Sequence, residues 1–219
     1  MKSFFNFTQH MEIDKEFKEA LSHLTAKEKD KLVLRLLRKD KVLAERLFFE
    51  LVSGLSAEDR RKELEKAILK KIPVIASRFH SPGYLMADIK YLSGDITFHL
   101  KVTKDKYGEI ELSLLVISEI LKLTNEKIAG TSFDNAYKFC MYCIKKMYSL
   151  LVLIKHFDED YQADFHKQLE KIGLLFTYNP HLMRLSINNG LDVNWLTQAD
   201  IPDDIKKEQQ RIKSLGFLK

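Results

Sequence analysis

The stretch YLMADIKYLSGDITFHLKVTKDKYGEIELSLLVI, residues 84–117, carries two incompatible periodicities and decides the fold class. Ile96, Phe98, Leu100 and Val102 alternate with Thr97, His99, Lys101 and Thr103. After Lys104 to Gly108, the run Ile110, Leu112, Leu114, Val116 alternates again, which is the pattern of a β-hairpin. The same residues also support a helix: Leu85, Ile89, Leu92, Ile96 and Leu100 form one continuous helical face, and Leu114, Ile117 and Leu121 continue at helical spacing. The first reading gives an α+β protein with a small antiparallel sheet near residues 84–117, the second an all-α protein. The helical reading is favoured because turn residues are scarce along the whole chain.

That scarcity is measurable. Gly and Pro together number 12 in 219 residues, well below their usual combined share of about 12%. Neither occurs before Gly54 or between Gly130 and Gly173. In the first gap Ile13, Phe17, Leu21 and Leu24 predict a helix. Thr25 with Glu28 forms a capping box opening a second, with a break near Asp40 and a stop at Gly54. Ser56 caps a third, carrying Leu64, Ile68 and Ile72, which Pro73 is expected to kink or end because it lacks an N–H. In the second gap Ala136 to Ile154 is apolar on nearly all sides, so residues 132–157 are expected to be the central helix. Asp158, Glu159 and Asp160 open the next helix, and Asn179-Pro180 starts another that ends near Asn189-Gly190. A last helix is expected from Pro202 to Leu215.

Two local similarities qualify this picture. Ser22-His23-Leu24-Thr25-Ala26 recurs as Ser53-Gly54-Leu55-Ser56-Ala57, which reads as two helices using the same start signal rather than as a repeat. The fragment Asn188 to Asn194 resembles the end of an ankyrin repeat, over less than one repeat and without its Thr-Pro-Leu-His start. A competing reading of this region pairs Leu185 with Val193 and Ile187 with Leu191 in a hairpin.

Composition excludes several classes of function. The chain is 45% apolar and 31% charged, values of an ordinary globular protein. No two glycines lie closer than 11 residues, so a P-loop, a dinucleotide fingerprint and a G-x-S-x-G elbow cannot be written. Two cysteines are too few for the disulfide framework of a small secreted domain, and no export signal is expected in residues 1–12, so a cytoplasmic location is expected. The charge-free run Met147 to Ile154 is far shorter than the roughly 18 residues of a membrane span. Net charge is +5, and all the excess lies in residues 1–80, which hold 18 Lys/Arg against 13 Asp/Glu.

Four groups of residues are candidates for function. Lys27, Lys31, Arg35 and Arg38 fall on one side of the second helix and could meet an acidic partner or a phosphate backbone; Lys62, Lys66 and Lys70 form a similar row on the third. Interleaved Glu28, Asp30, Glu58, Glu63 and Glu65 favour a solvated outer face instead. In a helix, Tyr84, Asp88, Tyr91, Asp95 and His99 line one stripe, where a carboxylate four residues before an imidazole suits general acid/base chemistry. Cys140 and Cys143 share a helix face but lack the further ligands of a structural zinc, and read as inert core thiols. His156, Asp158, Glu159, Asp160, Asp164 and His166 match no metal spacing and read as the solvated start of a helix.

The expectation is thus an all-α single domain over residues 1–219, with about eight or nine antiparallel helices in a bundle or short helical-repeat stack. A subdivision into basic helices 1–80 and a core 81–219 is compatible with the charge distribution. The expected function is a non-catalytic interaction or scaffold module for a protein partner, without cofactor, metal or membrane. The alternatives are nucleic-acid binding through Lys27, Lys31, Arg35 and Arg38, or an enzyme with a site at Asp88, Asp95 and His99.

Overall fold

The computed structural model describes residues 14–218. The amino-terminal segment and Ile13 of the first helical face lie outside the described residues. The chain divides into two compact units at Val52 and Ser53.

The first unit holds α1 (Lys15–Ser22), α2 (Ala26–Leu37) and α3 (Lys41–Leu51). Each starts on a side chain that accepts a bond from an otherwise unpaired first-turn amide. Asp14 Oδ1 accepts from Phe17 N at 2.7 Å, and Asp40 Oδ1 from Leu43 N at 3.0 Å. At α2 the expected capping box forms, with Thr25 N donating to Glu28 Oε2 at 2.9 Å and Glu28 N to Thr25 Oγ1 at 3.4 Å. The helices are thus well specified locally, yet none of the three contains a buried residue.

Next to the start of the second unit, Gly54 has φ 62°, a left-handed position suited to glycine. It holds α4 (Ala57–Ser77), α5 (Pro82–Thr103), α6 (Lys106–Ala129), α7 (Phe133–Ile154), α8 (Glu159–Asp164), α9 (His166–Thr177), α10 (Pro180–Asn188), α11 (Asn194–Thr197) and α12 (Ile205–Ser214). The fold is all-α, and no strand occurs among the described residues. Residues 84–117 form the bulk of α5 and the start of α6, joined at Lys104 and Asp105, and residues 185–187 lie in α10, so neither hairpin forms.

The alternation that imitated strands has a simple cause. Ile110, Leu112, Leu114, Val116 and Ile117 are all buried, because α6 packs on α4, α5, α7 and α9 and is covered on nearly every side. A helix buried all round has no reason to keep a 3.6-residue spacing of apolar groups. In α5 the buried residues do follow that spacing, through Leu85, Ile89, Leu92, Ile96 and then His99 and Val102. The expected central helix is α7, whose Phe139, Cys140, Ile144, Met147, Tyr148 and Leu151 are buried against α5, α6, α10 and α12; it shares the centre with α6.

Two expectations are corrected. Among the described residues the helices number twelve rather than eight or nine. The extra elements come from the break at Asp40, a break at the buried Phe165, whose amide donates to Gln162 O in a tightened turn, and the short α11. Pro73 does not end α4, which continues to Ser77. A proline inside a helix costs about 3 kcal/mol, and here burial of Ile68, Ile72 and Ala76 on one face holds the helix through it. Lys127 Nζ then donates to Ala76 O at 3.1 Å, satisfying a carbonyl at the helix end.

Candidate functional site

Of the polar stripe on α5, Tyr84, Asp88 and Tyr91 face solvent, with Tyr84 edge-on to His80. Asp95 is engaged by Lys71, Nζ to Oδ2 at 2.9 Å. His99 is only 2% exposed. The buried face of α5 drifts round the helix toward its carboxyl end, so the stripe that is open at Tyr84 is covered at His99. The structure therefore does not bring Asp88, Asp95 and His99 together.

His99 instead joins a network that the sequence did not reveal. Its Nε2 lies 3.3 Å from Asp105 Oδ2 and 3.4 Å from Thr103 Oγ1. Asp105, the N-cap of α6, accepts from Gly108 N at 2.8 Å and from Arg61 Nη1 at 3.3 Å. Arg61 Nε reaches Glu111 Oε2 at 3.1 Å, and its guanidinium lies over the Tyr107 ring, whose hydroxyl donates to Asp164 at 3.2 Å. Burial alone would raise the Asp105 carboxyl, but the bonds from His99 and Gly108 and the Arg61 charge outweigh it and hold the group below the ordinary carboxylate range. Glu111 moves the other way, raised chiefly by burial despite Arg61. Tyr107 is pushed up to about 12, first by burial and then by Glu111 and Asp164.

This network ties α4 to the corner between α5 and α6. Gly108 makes it possible, because a methyl group there would collide with the Asp105 carboxylate and stand 2.7 Å from Arg61 Cδ. The His99–Asp105 pair has the composition of an acid/base dyad, but the burial of His99 withholds it from a substrate. Asp105-x-x-Gly108 at a helix start was a readable local signal; Arg61, 44 residues away from Asp105, left none.

Beside this corner the surface forms a groove of about 390 Å³, floored by Leu100, Leu153 and Phe157 with the buried Ile110 beneath. Lys101, Lys104, Lys106 and His156 stand round it with Glu109. Lys104 takes the left-handed conformation, φ 62°, at the end of α5, a placement that costs a non-glycine residue about 1 kcal/mol.

Cys140 and Cys143 are free and buried. Burial pushes the Cys140 thiol up to about 12 and the Cys143 thiol also upward, so neither is activated as a nucleophile or ligand. Asp158, Glu159 and Asp160 lie at the exposed start of α8, while His156 Nδ1 donates to Val152 O at 2.5 Å and Asp164 accepts from Tyr107. No three His, Cys, Asp or Glu side chains are grouped to hold a metal among the described residues.

In the first unit Lys27, Lys31, Arg35 and Arg38 are exposed, as expected of one polar stripe. What sequence reasoning missed is the apolar surface beside them. Val33, Leu34 and Leu36 of α2 and Phe48 and Leu51 of α3, with Val52 at its end, are exposed, Leu34 to 56% and Leu51 to 77%. Phe48, Leu51 and Val52 stand at positions i, i+3 and i+4, the spacing of one helix face. Helical periodicity in this stretch is legible in the sequence, but nothing in it says which of the apolar residues stay uncovered.

No helix among the described residues is long and apolar enough to cross a membrane. Comparison with protein-family models, curated proteins and solved structures gives no match.

Proposed function

We propose that the protein is a non-catalytic helical interaction module in which residues 53–219 form the folded body and α1–α3 present the surface that takes a protein partner. The observation that carries this reading is the exposed apolar face of α2 and α3. Scattered exposed leucines are ordinary, but six large exposed apolar side chains on and beside two helices without a fully buried residue form the kind of surface a partner covers. Residues 26–46 hold eight Lys/Arg against four Asp/Glu, so the matching partner carries an apolar groove with acidic residues at its rim. A cytoplasmic location belongs to the same proposal, supported by two cysteines that are both buried as free thiols.

The test is a photo-crosslinking residue placed in cells at position 34 or 51, and at Lys207, exposed on α12, as a control. A discrete adduct with a second protein is expected at 34 and 51 but not at 207, and it should be lost when Arg35 and Arg38 are changed to Glu. Adducts equal at all three positions, or none at 34 and 51, would contradict the reading. A nucleic-acid partner would use Lys27, Lys31, Arg35 and Arg38 alone: its binding would fall steeply with salt and ignore Leu34→Ser.

A further inference from the structure

The groove between the α5–α6 corner and the end of α7 stands apart from the surface assigned above, and its chemistry is two-sided. Its floor, Leu100, Leu153 and Phe157 with the buried Ile110 beneath, is apolar. Its volume of about 390 Å³ falls within the roughly 300–1,000 Å³ of small-molecule sites. Its rim is cationic, with three lysines against one carboxylate, Glu109.

Two of those lysines sit where helix formation alone would not put them. Lys104 occupies a left-handed position that glycine fills without strain. Lys106 is the first residue of α6, at the positive end of the helix dipole, where an acidic residue is favoured. Asp105 lies between them, but its carboxylate is taken up by Arg61, His99 and the Gly108 amide, and neither lysine has an ion pair with it. Both ammonium groups are exposed beside an apolar trough. Strained or locally unfavourable residues gathered at one groove are a mark of a binding site.

We infer that this groove binds a small aliphatic carboxylate, its chain lying on Leu100, Leu153 and Phe157 and its carboxylate held by Lys104 and Lys106. The apolar floor selects for the chain, and the two lysines select for the charge. A simple inorganic anion would leave the floor uncovered, and a neutral or cationic chain would leave the lysines unanswered.

The test uses the full chain and titrates octanoate, octanol, octylammonium and inorganic phosphate by NMR, with thermal unfolding as the control for folding. Octanoate is expected to saturate at one site and shift the resonances of Lys104, Lys106, Leu153 and Phe157, with the other three about tenfold weaker or more. Lys104→Gln with Lys106→Gln should weaken octanoate by about tenfold while leaving the melting temperature unchanged. Leu153→Trp, which fills the trough and keeps both lysines, should abolish it. Lys104→Gly is the sharpest variant, since it relieves the backbone and removes the charge: it should melt higher and bind octanoate more weakly. Octanol binding as tightly as octanoate would reduce the groove to an apolar patch, and phosphate binding as tightly would reduce it to an anion patch. Either result overturns the proposal, as would undiminished octanoate binding by Lys104→Gly or by Leu153→Trp.

Discussion

Residues 14–52 and residues 53–218 use the same helix-starting chemistry and differ in what lies behind it. Asp14, Thr25 and Asp40 cap α1–α3 as Ser56, Ser81 and Ser132 cap α4, α5 and α7. Behind the second set is one continuous core, from Ile68 through Leu218; behind the first no residue is buried. Caps decide where a helix begins, whereas burial decides whether it persists, since isolated helices shorter than about 12–15 residues are marginal in water. Helices of 8, 12 and 11 residues with an exposed apolar surface lack that burial among the described residues, and the function proposed above has a partner supply it.

The contrast can be broken by mutation, most sharply in the centre of the second unit. Phe139→Ala, at a fully buried position of α7, should cost about 3–5 kcal/mol in urea unfolding. Leu51→Ala, at the open end of α3, should change stability by no more than about 0.5 kcal/mol. Comparable losses at the two positions would show that α3 is already covered.

Gly173→Ala is expected to follow in size. Its new methyl would stand 2.7 Å from Thr197 Cγ2 and 2.8 Å from the Thr197 amide. Forcing α9 away from α11 should cost about 1–3 kcal/mol, read in the same unfolding experiment. A neutral result would mean that the two helices separate freely.

Acid provides a third test within the second unit. The Asp105 carboxyl is held low in the folded protein. Its contribution to stability is therefore complete above the unfolded carboxyl value of about 3.9 and is lost as pH falls through the lower folded value. Glu111, raised by burial, acts in the opposite sense. Comparing wild type with Asp105→Asn across pH 2–7 isolates the Asp105 effect: the stability difference should be constant near neutrality and shrink below about pH 4. A difference independent of pH would mean that Asp105 carries no special charge. The smallest effect belongs to the first unit, where Thr25→Ala should cost about 1 kcal/mol of helix stability. It should appear as lost circular dichroism amplitude, with the main unfolding transition of residues 53–219 unmoved.

Much of this architecture was legible in the sequence because its signals are local. The capping box at Thr25, the stop at Gly54, the break at Asp40 and the Asn179-Pro180 start all mark real boundaries. The ambiguity of residues 84–117 was physical, since the all-round burial of α6 erases the period that distinguishes helix from strand. Of the kink or end expected at Pro73, the end does not occur, because the cost of proline is local while α4 is held by packing on both α5 and α6. The candidate sites were less legible still. His99 was picked out for the wrong partners, because Arg61 and Asp105 meet it only through tertiary packing. The apolar periodicity of α2 and α3 says nothing of whether anything covers it, and that coverage, rather than the periodicity, bears on function.

The central claim, that the second unit owns a core and the first does not, is tested most directly by hydrogen exchange on the isolated, monomeric full-length chain. Amides of α6 and α7 should exchange only with global unfolding, while those of α1–α3 should exchange through local opening at a free energy near zero. Protection in α2 and α3 equal to that of α6 and α7 would contradict it, because the apolar face would then be buried within the chain itself and a partner would have nothing left to cover.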